Sequence, residues 1–297
     1  MKKSVLNSPR LLELKKKKRK LLARKMFFLS FLLVLILIGL SFLSKWEKIN
    51  INDIQILGNK VVETKMIEEI VKEKIAGYYF WFFPKTNFLL YPKAEIKKEL
   101  TDKFKRLKNI SISVKNLQTV EISIVERIAL YTYCGTTPPE LNNLETQKCH
   151  FLDQDGYIFD EAPYFSGEVY LKFYGLARKA TAEGTTNMNE ENPTSSYYFQ
   201  PNFGKLISFK DTVEKIGIKP VAFYVENSGD IKMFLSSSAS QMGPEIIFKT
   251  DSDFAQVAEN LQTILSTEPF QSDFKNKYSS LLSIDLRFGN KVYYKFK

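Results

Sequence analysis

The side chains that could do chemistry cluster between positions 149 and 155. His150 is the only histidine in the chain, Cys149 precedes it, and Asp153 and Asp155 follow. A cysteine–histidine nucleophile needs the two side chains to meet, with a third group orienting the imidazole. Neighbours on a strand point to opposite faces, so Cys149 and His150 are badly placed to form such a pair. Asp153-Gln154-Asp155-Gly156 has the opening of a calcium loop but lacks its third ligand position and its distal glutamate. The same Asp-Gly pair is what a tight hairpin turn uses. The sequence contains no Gly-x-Ser-x-Gly, no HExxH and no glycine-rich phosphate loop. The expectation is a chain that is not an enzyme, with no catalytic or metal-ligating residues, no cofactor and no small-molecule substrate.

Cys134 and Cys149 are the only two cysteines. In an exported segment they are a disulfide candidate, and closing the span 134–149 is worth ~3 kcal/mol in the loop-entropy picture. Two free thiols are the alternative reading. A bonded Cys149 has no thiolate to offer His150.

Export is what the N-terminal stretch decides. Residues 15–25 read KKKKRKLLARK, and Met26 to Leu43 then run without a charge. At ~1.5 Å per residue that run covers most of a ~30 Å hydrocarbon core, which predicts a transmembrane helix over 26–44. Lys45-Trp46 follows as an interface anchor. The first 25 residues hold 11 of the 43 Lys/Arg and one of the 33 Asp/Glu, leaving 32 of each sign in the rest of the chain. The formal net charge of +10 therefore sits entirely in the tail. That removes the nucleic-acid binder its value would otherwise imply, and it places the N-terminus in the cytoplasm and residues 45–297 outside. A cleaved signal peptide has a shorter apolar core ending in a small-x-small site. Here Ser41-Phe42-Leu43-Ser44 provides no alanine pair, so an uncleaved anchor is preferred. Residues 1–25, Lys-rich and aperiodic, are expected to be disordered.

Beyond the anchor the periodicity predicts two domains. Ile54 and Ile56 alternate in a strand ended by Gly58-Asn59. Thr64 is a candidate N-cap for a helix carrying Ile67, Ile70, Val71 and Ile75. Pro92 opens a second helix with Ile96, Leu100 and Phe104 on one face. Strands through Ile110–Val114 and Val120–Ile124 complete a strand–helix–helix–strand–strand order over 50–126. Between the helices lies the aromatic run Tyr78 to Phe83, for which core, a partner-binding patch and a membrane-surface contact all remain open. Residues 127–297 read as a mixed domain. It has a hairpin around Asp155-Gly156, an exposed loop over 179–202 and a helix over 205–216. Three strands follow near 220–226, 230–235 and 245–249, then a helix capped by Asp251 or Ser252. A final hairpin turns at Gly289-Asn290, where Val292, Tyr294 and Phe296 alternate. Residues 291–297 close the chain as a strand with nothing after them to cover its edge. Such an edge invites strand addition by another chain. An ordinary edge blunted by Lys291, Lys295 and Lys297 is the plainer alternative.

In this order the elements resemble bacterial cell-division proteins of the FtsQ/DivIB family. The marks are Ile54-x-Ile56-x-Gly58-Asn59, Val120-x-Ile122-x-Ile124-Val125-Glu126-Arg127, Gly156-Tyr157-Ile158-Phe159 with Glu161 and Pro163, and Ser283-Ile284-Asp285-Leu286-Arg287-Phe288 followed by Asn290-Lys291-Val292. The resemblance spans nearly the whole chain, with 134–150 and 179–202 as insertions. It implies an α+β fold: a single transmembrane helix, a POTRA domain over 50–126, and a mixed α/β domain over 127–297 with a largely antiparallel sheet. The implied function is a non-enzymatic divisome scaffold in the cytoplasmic membrane at the division septum. Its implied partners are FtsB/FtsL-like and FtsK-like proteins and components of the septal synthase. The residues it points to for partner binding are Arg287, which would pair with a partner carboxylate, then Phe288 and the strand Val292, Tyr293 and Tyr294. Ile54 and Ile56 would form a second contact face. A membrane-anchored envelope enzyme and a POTRA-bearing translocation component are the competing classes. The second would need a barrel of ~10-residue membrane strands, and 127–297 is too mixed with helices for one.

Overall fold

Leu, Ala, Lys and Arg are strong helix formers, and they fill the stretch between Pro9 and the apolar run. A helix already nucleated by that run extends through them at little cost. In the computed structural model, which describes residues 9–139, 147–165, 167–181, 184–187, 193–236 and 243–297, α1 accordingly runs unbroken from Pro9 to Ser44. Pro9 stands at the first helical position, where its missing N–H is no loss. The disorder expected for the basic tail is thus corrected over residues 9–25, and residues 1–8 lie outside the described residues. With 36 residues α1 exceeds a ~30 Å hydrocarbon core. It is the one helix among the described residues long and apolar enough to cross a membrane.

The chain is α+β and packs as two units, 1–126 and 127–297. In the first, a single 3-10 turn at Glu47–Ile49 leads from α1 into β1 (Asp53–Leu57), followed by α2 (Thr64–Ile75), a small hairpin β2 (Tyr78–Tyr79) and β3 (Phe83–Pro84), α3 (Lys93–Lys103), β4 (Leu107–Asn116) and β5 (Thr119–Glu126). The sheet order is β1-β5-β4, with β5 parallel to β1 and antiparallel to β4. Period-two burial along β4 and β5 meets the stripes Ile67, Ile70, Val71 and Ile75 of α2 and Ile96 and Leu100 of α3 in one core. Thr64 is the first helical residue, not the cap. Its hydroxyl accepts from Asn59 Nδ2 at 2.9 Å, and Glu63 precedes the helix without a side-chain cap. A Cβ at Gly58 would stand 2.2 Å from the Ile124 carbonyl oxygen, so β1 can close on β5 there only with glycine. The loop between β1 and α2 is held by Glu126, whose carboxylate accepts the N–H groups of Lys60, Val61 and Val62 at 2.9, 2.9 and 3.0 Å. Burial pushes the Glu126 carboxyl up, but those three donors and nearby Arg106 outweigh it and hold it below the usual range.

The second unit contains β6 (Tyr131–Tyr133), β7 (Cys149–Leu152), β8 (Ile158–Ala162), β9 (Lys172–Gly175), β10 (Ala177–Thr181), β11 (Gly184–Asn187), β12 (Tyr197–Tyr198), α4 (Phe203–Lys215), β13 (Pro220–Val225), β14 (Asp230–Leu235), β15 (Glu245–Lys249), α5 (Phe254–Ser266), α6 (Phe270–Asn276), β16 (Leu281–Phe288) and β17 (Lys291–Phe296). Among the described residues its main sheet has the order β17-β16-β15-β14-β13-β9-β6-β7-β8. This sheet is mixed, with five of its eight joints antiparallel. The joints β15–β16, β13–β9 and β9–β6 are parallel. Two of them follow from helices inserted between the paired strands, α4 before β13 and α5 with α6 before β16, because a parallel partner is reached only by a crossover.

Two further expectations change here. The loop 179–202 contains β11 and β12 and the ends of β10, which form a second small sheet of order β11-β10-β12. Residues 182–183 and 188–192 lie outside the described residues, as do 140–146 of the other insertion. Tyr198 is fully buried and donates its hydroxyl proton to the Tyr174 carbonyl at 2.7 Å. The Asn/Thr/Glu-rich composition around Tyr197-Tyr198-Phe199 conceals this core aromatic. The second difference is the cap of α5, which is Asp253, accepting from the Ala255 N–H at 2.9 Å, not Asp251 or Ser252.

Candidate functional site

β17 is an edge strand. Its inner side pairs with β16 through Asp285↔Tyr293 and Ile284↔Tyr294, and its outer side has no partner among the described residues. Strand alternation sorts its side chains. Val292 and Phe296 pack on the core, and the Tyr294 ring lies tilted against Phe270 of α6 with centroids 4.7 Å apart. On the other face Tyr293, 54% exposed, meets Phe288, 55% exposed, edge-on at 5.3 Å. The turn between β16 and β17 is tied down by Asn260 Nδ2 of α5, which donates to the Gly289 carbonyl at 2.8 Å. The edge is therefore anchored at its turn, aromatic on its open face, and flanked by exposed Lys291, Lys295 and Lys297.

Arg287 is not free for a partner's carboxylate. Its Nε and Nη2 donate to Asp285 at 2.9 and 2.6 Å, and its Nη1 to Asp230 of β14 at 2.6 Å. The fork expected to reach outward closes on two internal acids, bracing β16 against β14 across β15. Asp285 stands in the same Asp-Leu-Arg triplet as its arginine, so that half of the clamp has a local mark. Asp230, 57 positions away, has none. Burial raises the Asp285 carboxyl, but the side-chain and backbone bonds from Arg287 prevail and lower it.

Replacing Arg287 with alanine leaves both acids without their cation. The expected cost is about 1–3 kcal/mol at neutral pH. A carboxyl depressed in the folded state stabilises above its unfolded value of about 3.9 and loses that contribution as pH falls through the lowered folded value. The gap between wild type and Arg287→Ala, read by thermal unfolding of the full chain in detergent, should be complete at pH 7 and shrink below about pH 4. A gap independent of pH would remove Asp285 from the clamp.

The second expected contact face, Ile54 and Ile56, turns largely toward the protein itself. Ile54 and Ile56 are partly buried and pack on the core of the first unit, while Asp53 and Leu57 of β1 are exposed. Cys134 and Cys149 are joined by a disulfide, so Cys149 has no thiol for the neighbouring His150. Burial and the Lys148 charge lower the His150 pKa against the opposing effect of Glu161. Beside the bond lies an open pocket of about 260 Å³ whose charged lining is Lys148, Glu161 and Lys172. Asp153 does not face outward as a ligand. It accepts the N–H groups of Asp155 and Tyr157 at 2.9 Å each and pairs with Arg127 at 2.5 Å. Gly156 completes that turn at φ +76°, with its absent Cβ facing the Phe203 ring at 2.8 Å. Among the described residues no group of three or more His, Cys, Asp or Glu could hold a metal ion.

No protein-family model matches this chain, and no curated protein matches it.

Proposed function

We propose that this chain is a single-pass membrane protein of the FtsQ/DivIB type, with its N-terminus in the cytoplasm and both folded units outside, at the division septum. It acts as a scaffold, by binding rather than by chemistry, and helps couple septal wall synthesis to division. The order of parts carries the reading. A basic helical segment runs into an apolar span, a strand–helix–helix–strand–strand unit of the POTRA kind follows, and a mixed sheet ends on an open strand. The basic segment supports the orientation, because Lys and Arg flanks stay on the cytoplasmic side.

In this reading an FtsB/FtsL-like partner adds a strand along β17, reading its backbone by hydrogen bonds and its Phe288–Tyr293 face by contact. The three edge lysines favour an acidic partner segment. An FtsK-like partner meets the open edge of β1 at Asp53 and Leu57, because Ile54 and Ile56 serve the core. Septal synthase components are reached through these partners. A fluorescent protein fused before Met1 should gather at mid-cell as cells constrict. A signal spread evenly round the membrane at every stage of the cycle would overturn the divisome reading.

A further inference from the structure

The aromatic run Tyr78 to Phe83 is not core. It forms the β2–β3 hairpin, in which Phe80 and Trp81 at the tip are 84% and 91% exposed and Phe82 and Tyr78 are exposed beside them. The tip is a tight turn closed by the Phe82 N–H on the Tyr79 carbonyl at 3.1 Å, with Phe80 at φ +48° and Trp81 at φ +69°. Glycine and asparagine take such angles easily and bulky residues do not. Neither burial nor turn chemistry calls for these two aromatics.

Their position is set by α1. Among its residues with described side chains, Ser41 and Ser44 alone are buried. Spaced i, i+3, they form the small polar spot on which the unit sits. Ser41 Oγ donates to the Phe82 carbonyl at 3.0 Å, and Asn50 Nδ2 and Asn87 Nδ2 donate to the Ser44 carbonyl at 3.0 and 3.3 Å. Ser41 lies inside the charge-free run 26–43, about 4.5 Å before the helix end. With the 26–43 run in hydrocarbon, this bond would hold the Phe82 end of the hairpin at the level where α1 leaves it.

The surroundings fit that depth. Lys45 and Lys85 lie over the rings of Tyr78 and Tyr79 at 6.0 and 5.4 Å, and Lys48 over Trp46 at 5.9 Å. Exposed Leu89 and Leu90 follow the Asn87 anchor. Aromatic rings with cations beside them are the composition of a membrane interface, where rings sit at headgroup level and ammonium groups meet lipid phosphates.

We infer that the Phe80–Phe82 tip inserts into the outer face of the bilayer that α1 crosses. It would be a second membrane contact that fixes the tilt of the first unit on its helix. This rests on α1 spanning a membrane. The chain has two tryptophans, Trp46 and Trp81, so Trp46→Phe and Trp81→Phe each leave one reporter. The full chain is reconstituted in phosphatidylcholine–phosphatidylglycerol vesicles, with and without lipids brominated near the headgroup end or deep in the acyl chains. Trp81 alone should emit to the blue of a water-exposed indole, lose intensity mainly to shallow bromines and resist aqueous iodide. If Trp46 is quenched by bromolipid while Trp81 stays red-shifted and open to iodide, the insertion is wrong, the span stands and the tip is a surface for a protein. If neither is quenched by bromolipid, the span itself is wrong and the inference falls with it.

Discussion

Arg127→Ala is expected to lower the stability of the second unit by about 3–5 kcal/mol, the range for removing one partner of a buried ion pair. The side chains of Arg127 and Asp153 are 11% and 3% exposed and meet at 2.5 Å, with the guanidinium 3.7 Å above the Tyr157 ring. Without the arginine, Asp153 keeps two backbone N–H donors but loses its countercharge in a site with little water to replace it. The pair is incompletely satisfied, because Arg127 Nε is buried without a hydrogen-bond partner among the described residues. Its net value against an uncharged alternative is therefore small, and its loss on one side is large. This asymmetry is the test. In guanidinium unfolding of the full chain in detergent, Arg127→Ala should lose most, Asp153→Asn less, because its carbonyl still accepts from Asp155 and Tyr157, and the double replacement Arg127→Met with Asp153→Leu should recover part of the loss. An Arg127→Ala midpoint equal to wild type would show that the pair does not hold the turn.

The second large effect concerns binding. Replacing Phe288 and Tyr293 together by serine should reduce recovery of co-purifying membrane partners tenfold or more, equivalent to about 1.4 kcal/mol or more. These side chains are half exposed and touch each other, while Val292 and Phe296 hold the strand to its core. The unfolding midpoint should therefore move by less than about 1 kcal/mol, the usual range for surface positions. Arg287→Ala should do the reverse, costing stability through Asp285 and Asp230 and reducing partner recovery only as far as the fold is lost. Full recovery with the serine pair would take β17 out of the interface and leave it an ordinary edge blunted by lysines.

The contrast between those two residues shows how far one-dimensional reading reaches. Arg287 and Phe288 are adjacent in the sequence and look equally available. Strand alternation separates them, and Asp230, from a strand two positions away in the sheet, decides that the arginine is spent internally. Ile54 and Ile56 repeat the point: their period-two spacing marks a strand with one apolar face, but not whether that face meets the protein's own helices or another chain. The same limit applies to Tyr78 to Phe83, whose exposure depends on the Ser41 hydroxyl reaching a carbonyl 41 residues downstream.

What the sequence determined by itself are the quantities carried by short range and composition. The uncharged 26–43 run, the charge confined to the tail, the helical stripes of α2, α3 and α5 and the alternating strands at 110–124 and 281–296 all follow from local periodicity. Burial of one face is a property of consecutive residues. The tertiary structure alone decided which polar and aromatic groups are used up inside. It joined Cys134 to Cys149, placed Asp153 under Arg127, turned Tyr198 into core and left Tyr293, Phe288 and the Phe80–Trp81 tip open. The physical reason is that hydrogen bonds and ion pairs act over a few ångströms in space, and pairs such as Arg287 with Asp230 are brought within that distance only by the sheet order.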